Sequence, residues 1–235
     1  MSSYLEGIKG IIFDYGGTLD TGGDHWSLII RRAYEKASVD IDEAQFREAY
    51  VFAERELART RYILPEHDFN DLLTIKINIE LQWLAEHDLF PPENVAPYSK
   101  KIANICYEAA RRSVENATPV LKALSEKYPL VLVSNFYGNI NTVLKDFGID
   151  SYFTKVVESA VVGVRKPDPE IFRLGVSALE LQPDEVLVVG DSYSKDILPA
   201  LKAGCHAVWL KGKGWTAEED KIAYPDTISS LSELL

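Results

Sequence analysis

Four short polar groups, each placed beside an apolar run, carry the chemistry this chain can do. Asp14-Tyr15-Gly16-Gly17-Thr18 follows residues 8–13, Ser134-Asn135 follows 130–133, and Gly190-Asp191 follows 186–189 with Asp196 five positions on. Lys166 stands ahead of the last of these runs, in Arg165-Lys166-Pro167-Asp168-Pro169. Two carboxylates brought together with one ammonium and one hydroxyl can hold Mg²⁺ and a phosphoryl group, because metal and lysine offset crowded negative charge. Each fragment alone reads as an N-cap or a solvated loop residue. Their order along the chain, each correctly placed relative to an apolar run, is much harder to obtain by accident.

The elements that must position them follow from periodicity. Residues 8–13, 130–133, 155–158, 186–189 and 207–210 are short runs rich in β-branched and apolar residues. Continuous apolar character without alternation predicts strands of a parallel sheet covered on both faces, and helical patterns separate the last four. The prediction is therefore an α/β fold whose ligands gather beyond the carboxyl ends of five strands. Thr118-Pro119 reads as the N-cap and first turn of one helix, and others are expected over 139–147, 169–179 and 195–203, with Gly148 and Gly204 ending two of them.

The stretch 21–117 breaks this rhythm, having no strand pattern of its own. Apolar residues at three and four spacing (Phe46, Ala49, Tyr50, Ala53, Leu57) predict helices. Asp24, Asp42 and Asp68 are candidate N-caps, Pro97 suits a first turn, and Pro91-Pro92 separates two helices. A helical insertion of this size between strands is best explained as a cap domain, 21–117, set into a core formed by 1–20 and 118–235, with hinges near Thr21 and Ala117.

Composition narrows the partners. The 235 residues are 46% hydrophobic and 26% charged, which is ordinary for a globular protein. With 25 basic and 36 acidic residues the formal charge is −11, so a broad basic surface for nucleic acid or anionic membranes is not expected. A local basic pocket for a small anion is compatible with that charge. Cys106 and Cys205 have no metal-ligand spacing and read as buried thiols. No basic leader followed by an apolar run opens the sequence, and no stretch approaches the ~20 apolar residues of a membrane span, so cytoplasm is the expected compartment. Asn116-Ala117-Thr118 fits a glycosylation sequon but is read as chance.

On these motifs the sequence resembles the haloacid dehalogenase superfamily of hydrolases: Ile11-Ile12-Phe13-Asp14 through Thr18-Leu19 resembles the first motif, Ser134 the second, Lys166 the third, and Gly190-Asp191 with Asp196 the fourth. The likeness covers the core; the insertion matches in position and helical character alone. The resemblance implies a Rossmann-like core with a helical cap, in which Asp14 attacks phosphorus to form an aspartyl-phosphate, Ser134 hydrogen-bonds a phosphoryl oxygen and Lys166 steadies both. It implies that Mg²⁺ is held by Asp14, the Gly16 carbonyl and Asp191, with Asp196 binding the metal or orienting the lysine or the metal's waters. Gly17, Thr18 and Asn135 lie within these motifs and are expected to bind substrate. The substrate expected is a small phosphorylated metabolite, and the sequence leaves oligomeric state open.

One departure matters. Most phosphatases of this family carry a second aspartate two positions after the nucleophile, where it protonates the leaving oxygen and later activates water; here that position is Gly16. General acid–base catalysis contributes about 10²–10⁴-fold. Three readings follow. Another group replaces the acid, with Asp20, Asp24 and His25 nearby in sequence. Alternatively, the chemistry needs no acid, as in 2-haloacid dehalogenation or phosphonoacetaldehyde hydrolysis, where a cap lysine (Lys36 or Lys76 here) would form a Schiff base. In the third reading the chain binds phosphorylated ligands without turning them over, as a regulatory protein.

Trp26, Tyr137 and Trp215 are candidates to line a pocket. The cap arginines Arg31, Arg32, Arg55, Arg59, Arg61, Arg111 and Arg112 could read a substrate anion but fit solvated helix faces equally well. His67, His87 and His206 have no partner motif, and Gly212-Lys213-Gly214 reads as a turn.

Overall fold

A computed structural model describes residues 3–235. Five parallel strands form as their apolar runs predict: β1 (Gly10–Phe13), β2 (Leu130–Ser134), β3 (Lys155–Glu158), β4 (Val186–Gly190) and β5 (His206–Leu210). A sixth, β6 (Thr227–Ile228), joins the edge of β5 and corrects the expectation of five. Two residues are too few to show a periodic pattern; β6 exists because Trp209 and Leu210 offer it a partner.

The sheet order is β3-β2-β1-β4-β5-β6. Alternate strand residues face opposite layers: Ile11, Phe13, Leu130, Leu132, Leu187 and Val189 pack on one side, Ile12, Val131, Val133, Val186 and Val188 on the other. Both faces are covered, which is why these runs are apolar throughout. The chain leaves β1 towards β2 on one side, while β4 pairs β1 on the other, so the carboxyl ends of β1 and β4 flank a topological switch point.

Four long helices make the insertion: α1 (Trp26–Ala37), α2 (Glu43–Arg59), α3 (Phe69–Glu86) and α4 (Val95–Ser125). Asp42 and Asp68 cap α2 and α3 through capping boxes closed by Gln45 and Asp71. Asp24 does not cap α1. His25 does, its Nδ1 accepting from the Ser27 backbone N–H at 3.2 Å, because the Asp24 carboxylate is taken by the Lys213 backbone N–H and by Arg32. Pro97 falls in the first turn of α4, and a short 3₁₀ turn at Pro92–Asn94 separates α4 from α3.

Thr118-Pro119 does not start a helix. α4 runs unbroken through Ala117 and Thr118, where a hinge is expected, with Pro119 inside it, and Thr118 Oγ1 donates to the Val114 carbonyl at 2.8 Å. An internal proline costs about 3 kcal/mol, but Val114, Ala117, Val120, Leu121 and Leu124 are all buried at helical spacing across it, and that burial prevails.

The core helices are α5 (Ile140–Asp146), α6 (Ser159–Val162), α7 (Glu170–Leu179), α8 (Leu198–Lys202) and α9 (Ala217–Asp220). The single helix expected over 195–203 is instead a π turn, Tyr193–Ile197, leading into α8. The cause is local: the Asp196 carboxylate turns back to accept from the Ser192 N–H at 3.0 Å, and Pro199 supplies no N–H to an α ladder. Gly148 and Gly204 follow helix ends with positive φ, as expected. Both cysteines are buried and free. No helix among the described residues is long and apolar enough to cross a membrane.

Candidate active site

Because the strands are parallel, the residues that follow them emerge on one edge. Asp14 leaves β1, Ser134 ends β2 and Asp191 leaves β4. Register fixes their heights, since Phe13 pairs with both Leu132 and Val189. Asp14, Asp191 and Asp196 bring carboxylate oxygens within 4.8 Å of one another. Lys166 Nζ sits between two of them, 2.6 Å from Asp14 Oδ1 and 2.6 Å from Asp196 Oδ1, and the lysine is 4% exposed.

Two glycines make this convergence sterically possible. A Cβ on Gly17, whose φ is +95°, would stand 2.3 Å from Asp191 Oδ2. A Cβ on Gly190 would meet Asp196 at 2.5 Å. Gly16 differs: a Cβ there meets nothing within 4 Å.

Burial pushes the Asp14 carboxyl up to about 6 against the opposing charge of Lys166, and drives Asp191 well above the usual carboxylate range, with Asp196 and Asp14 adding to it. Burial would lower Lys166, but Asp14 and Asp196 outweigh it and the ammonium is held. One ammonium thus faces three carboxylates in a buried place. An all-oxygen donor set this crowded suits a hard divalent cation such as Mg²⁺, and Asp14, Asp191 and Asp196 are the residues that would hold it.

Neighbours hold these groups in place. Thr18 Oγ1 donates to Asp191 Oδ1 at 2.9 Å, and Trp209 Nε1 to the Asp191 carbonyl at 2.6 Å. Asn135 clamps the Lys166 backbone from both sides, its Oδ1 accepting from the N–H at 2.9 Å and its Nδ2 donating to the carbonyl at 3.0 Å. Thr18 and Asn135, expected to touch substrate, therefore have their side chains engaged in positioning Asp191 and Lys166. Gly17 donates its N–H to Asp20 Oδ1 at 2.7 Å. Glu158, overlooked in the sequence, accepts from the Gly138 N–H at 2.5 Å and so shapes the loop after Ser134; its signal was an acid directly after the apolar Val156-Val157 pair at the carboxyl end of β3.

The three candidates for the missing acid separate. Asp24 is engaged by Lys213 and Arg32. His25 is pushed down to about 4 by burial and nearby cations, and its Nδ1 accepts a backbone N–H, so the ring is a neutral Nε2–H tautomer. Asp20 is 2% exposed and pushed up to about 8 by burial; its Oδ2 accepts from Trp26 Nε1 at 3.0 Å.

These groups open onto a cavity of ≈ 1120 Å³ between sheet edge and cap. Its core wall holds Asp14, Gly16, Ser134, Lys166 and Asp191, and its cap wall holds Tyr50, Glu54, Phe69 and Lys76. Trp26, Tyr137 and Trp215 line it, as do Arg59 and Arg61. The other cap arginines do not, and His67, His87 and His206 make local contacts elsewhere.

A family description, haloacid dehalogenase-like hydrolase, matches residues 8–204, and the chain belongs to that family. The chain is 33% identical over 116 residues to the Rhythmically expressed gene 2 protein of Drosophila melanogaster, a match covering 48% of this chain and 45% of that one. The chain thus spans less than half the length of that relative. It is 26% identical over 211 residues to the 5-amino-6-(5-phospho-D-ribitylamino)uracil phosphatase YigB of Escherichia coli, covering 88% and 85%. The HAD-hydrolase YfnB of Bacillus subtilis, solved bound to magnesium, superposes with a TM-score of 0.58 at 17% identity, over 97% and 96% of the two chains, which shows a shared fold.

Proposed function

We propose that the protein is a Mg²⁺-dependent phosphatase acting on a small phosphorylated metabolite. The observation that supports it best is Lys166 Nζ held 2.6 Å from Asp14 Oδ1 beside the Asp191 and Asp196 carboxylates. Asp14 supplies a nucleophilic oxygen, which forms a bond to phosphorus as the ester oxygen departs, leaving an aspartyl-phosphate that water then hydrolyses. Lys166 and the Ser134 hydroxyl, both from residues that line the cavity, would take up charge on the phosphoryl oxygens. When bound, Mg²⁺ supplies further neutralisation of that charge. Several relatives carry phosphatase names, among them a phosphoserine phosphatase and a glyceraldehyde 3-phosphate phosphatase.

Asp20 is the best-placed replacement for the acid Gly16 lacks. Asp20 lines the cavity and, pushed up to about 8 by burial, would carry a proton at neutral pH although both its oxygens accept hydrogen bonds, whereas Asp24 is ion-paired with Arg32 and the His25 ring is neutral. The imine alternative is not favoured. Lys36 does not line the cavity, and the Lys76 ammonium is ion-paired with Glu54, whereas an imine requires a neutral amine. Dehalogenation is not favoured either: Asp14, Asp191 and Asp196 leave more negative charge than Lys166 offsets, which fits a divalent cation better than a metal-free reaction. The division into core (1–20, 118–235) and cap (21–117) belongs to the same proposal, with cap closure excluding water.

The test is phosphate release from a panel of phosphomonoesters with and without Mg²⁺, with Asp14→Asn as the blank. Metal-dependent release abolished by the substitution is expected. Release that survives Asp14→Asn, or chloride release from 2-haloacids without metal, rejects the reading.

A further inference from the structure

The cap wall carries a charged pair that the phosphoryl chemistry does not use. Lys76 on α3 and Glu54 on α2 form an ion pair, with the lysine side chain 6% exposed and the glutamate 38%. Lys76 Nζ also lies 4.4 Å over the face of Tyr50. Both residues line the cavity that also holds Asp14, and Glu54 is much the more exposed of the two. Burial by itself would raise the Glu54 carboxyl and lower Lys76; their mutual attraction reverses both, so the pair stays ionised.

The surroundings restrict what Glu54 can receive. His25, Tyr50 and Trp215 pack ring against ring, with centroids 5.1–6.1 Å apart, and form an aromatic wall beside it. Lys195, on the core side, contributes a second positive charge felt at both Glu54 and His25.

We propose that Glu54, held in place by Lys76, is the specificity determinant for the leaving alcohol, and that it selects phosphomonoesters of polyols, whose hydroxyl donates a hydrogen bond to its carboxylate. The inference rests on the phosphatase reading above. A substrate carboxylate at this point would stand against a like charge. A substrate ammonium would meet Lys76 and Lys195. A methyl group would strip water from Glu54 and return no hydrogen bond, the situation in which sites built around polar groups discriminate most strongly. A hydroxyl avoids all three penalties. Lys76 is a positioning residue, since its ammonium is turned to Glu54 and Tyr50.

The experiment compares kcat/KM for glycerol phosphate, propyl phosphate, phosphoethanolamine and phosphoglycerate with Mg²⁺, using the full chain. Glycerol phosphate is expected to exceed propyl phosphate by about 10-fold or more. Glu54→Gln should shrink that ratio by about 10-fold, chiefly through KM, and Glu54→Asp should recover part of it. Lys76→Met should shrink the ratio similarly, and the Glu54→Gln/Lys76→Met double variant should lose no more than either single one. Should Lys76→Met melt below the assay temperature, the Glu54 series decides. Equal use of the four esters, preference for phosphoglycerate or phosphoethanolamine, or an unchanged ratio in Glu54→Gln overturns the proposal while leaving the phosphatase reading intact. No phosphate release from any ester by the wild-type protein overturns both.

Discussion

Thr18 Oγ1 donates to Asp191 Oδ1 at 2.9 Å across 173 residues of sequence, tying the loop after β1 to the loop after β4. Thr18 is wholly buried, so its hydroxyl has no water to turn to. A carboxylate that binds a cation needs such a neighbour to fix its orientation, and losing one typically costs 10–100-fold in metal affinity. Thr18→Val should therefore raise the Mg²⁺ concentration for half-maximal phosphate release by about 10-fold, with a smaller change at saturating Mg²⁺. A Mg²⁺ titration checks it; an unchanged midpoint removes Thr18 from the metal's support.

Gly16 and Gly17 should respond oppositely to an added side chain. Space is open at Gly16, so Gly16→Asp should fold normally and speed hydrolysis of alkyl phosphates, whose leaving group needs a proton, by about 10-fold or more relative to aryl phosphates. Gly17→Ala combines a positive φ with a Cβ 2.3 Å from Asp191 Oδ2, and should lower stability by about 1–3 kcal/mol and disrupt the metal site. Thermal melts and a leaving-group series separate the two.

Asp20 has two duties that one substitution can distinguish. Its oxygens accept from the Gly17 N–H and from Trp26 Nε1, so Asp20→Asn sets an amide NH₂ against one of these donors and should cost about 1–3 kcal/mol. If it also protonates the leaving oxygen, Asp20→Asn slows alkyl phosphates far more than aryl ones. Equal slowing of both would assign it to the turn alone.

Glu80 makes stability depend on pH. It is fully buried on α3, accepts from Tyr34 Oη at 2.9 Å, and burial pushes it up to about 7 from 4.5 despite Lys76 nearby. A carboxyl raised on folding contributes stability that is present below about 4.5 and is lost as pH climbs through about 7. The wild-type protein should therefore lose up to about 3 kcal/mol relative to Glu80→Gln between pH 5 and 8. Melting temperatures of both proteins across that range test the sign; parallel curves would show that Glu80 does not titrate there.

Much of the fold was legible from residue order. The apolar runs announced β1 to β5 because a strand buried on both faces can be apolar at every position. Asp42 and Asp68 announced their helices because a cap acts within three residues. Elements whose existence depends on a distant partner were not legible. β6 needs β5, the passage of α4 through Pro119 needs the apolar bed beneath it, and His25 caps α1 because Asp24 is drawn to Lys213 and Arg32.

The sequence alone determined that carboxylates and a serine would leave the strands of an α/β sheet, with a lysine in the loop ahead of β4, since local pattern sets both strand ends and the residues after them. Only the tertiary structure decided that Asn135 and Thr18 brace Lys166 and Asp191, and that Glu54 of α2 pairs with buried Lys76 of α3 on the cavity wall. These are contacts between segments far apart in the chain. Burial and charge pairing select them when the layers close, and no local spacing encodes them.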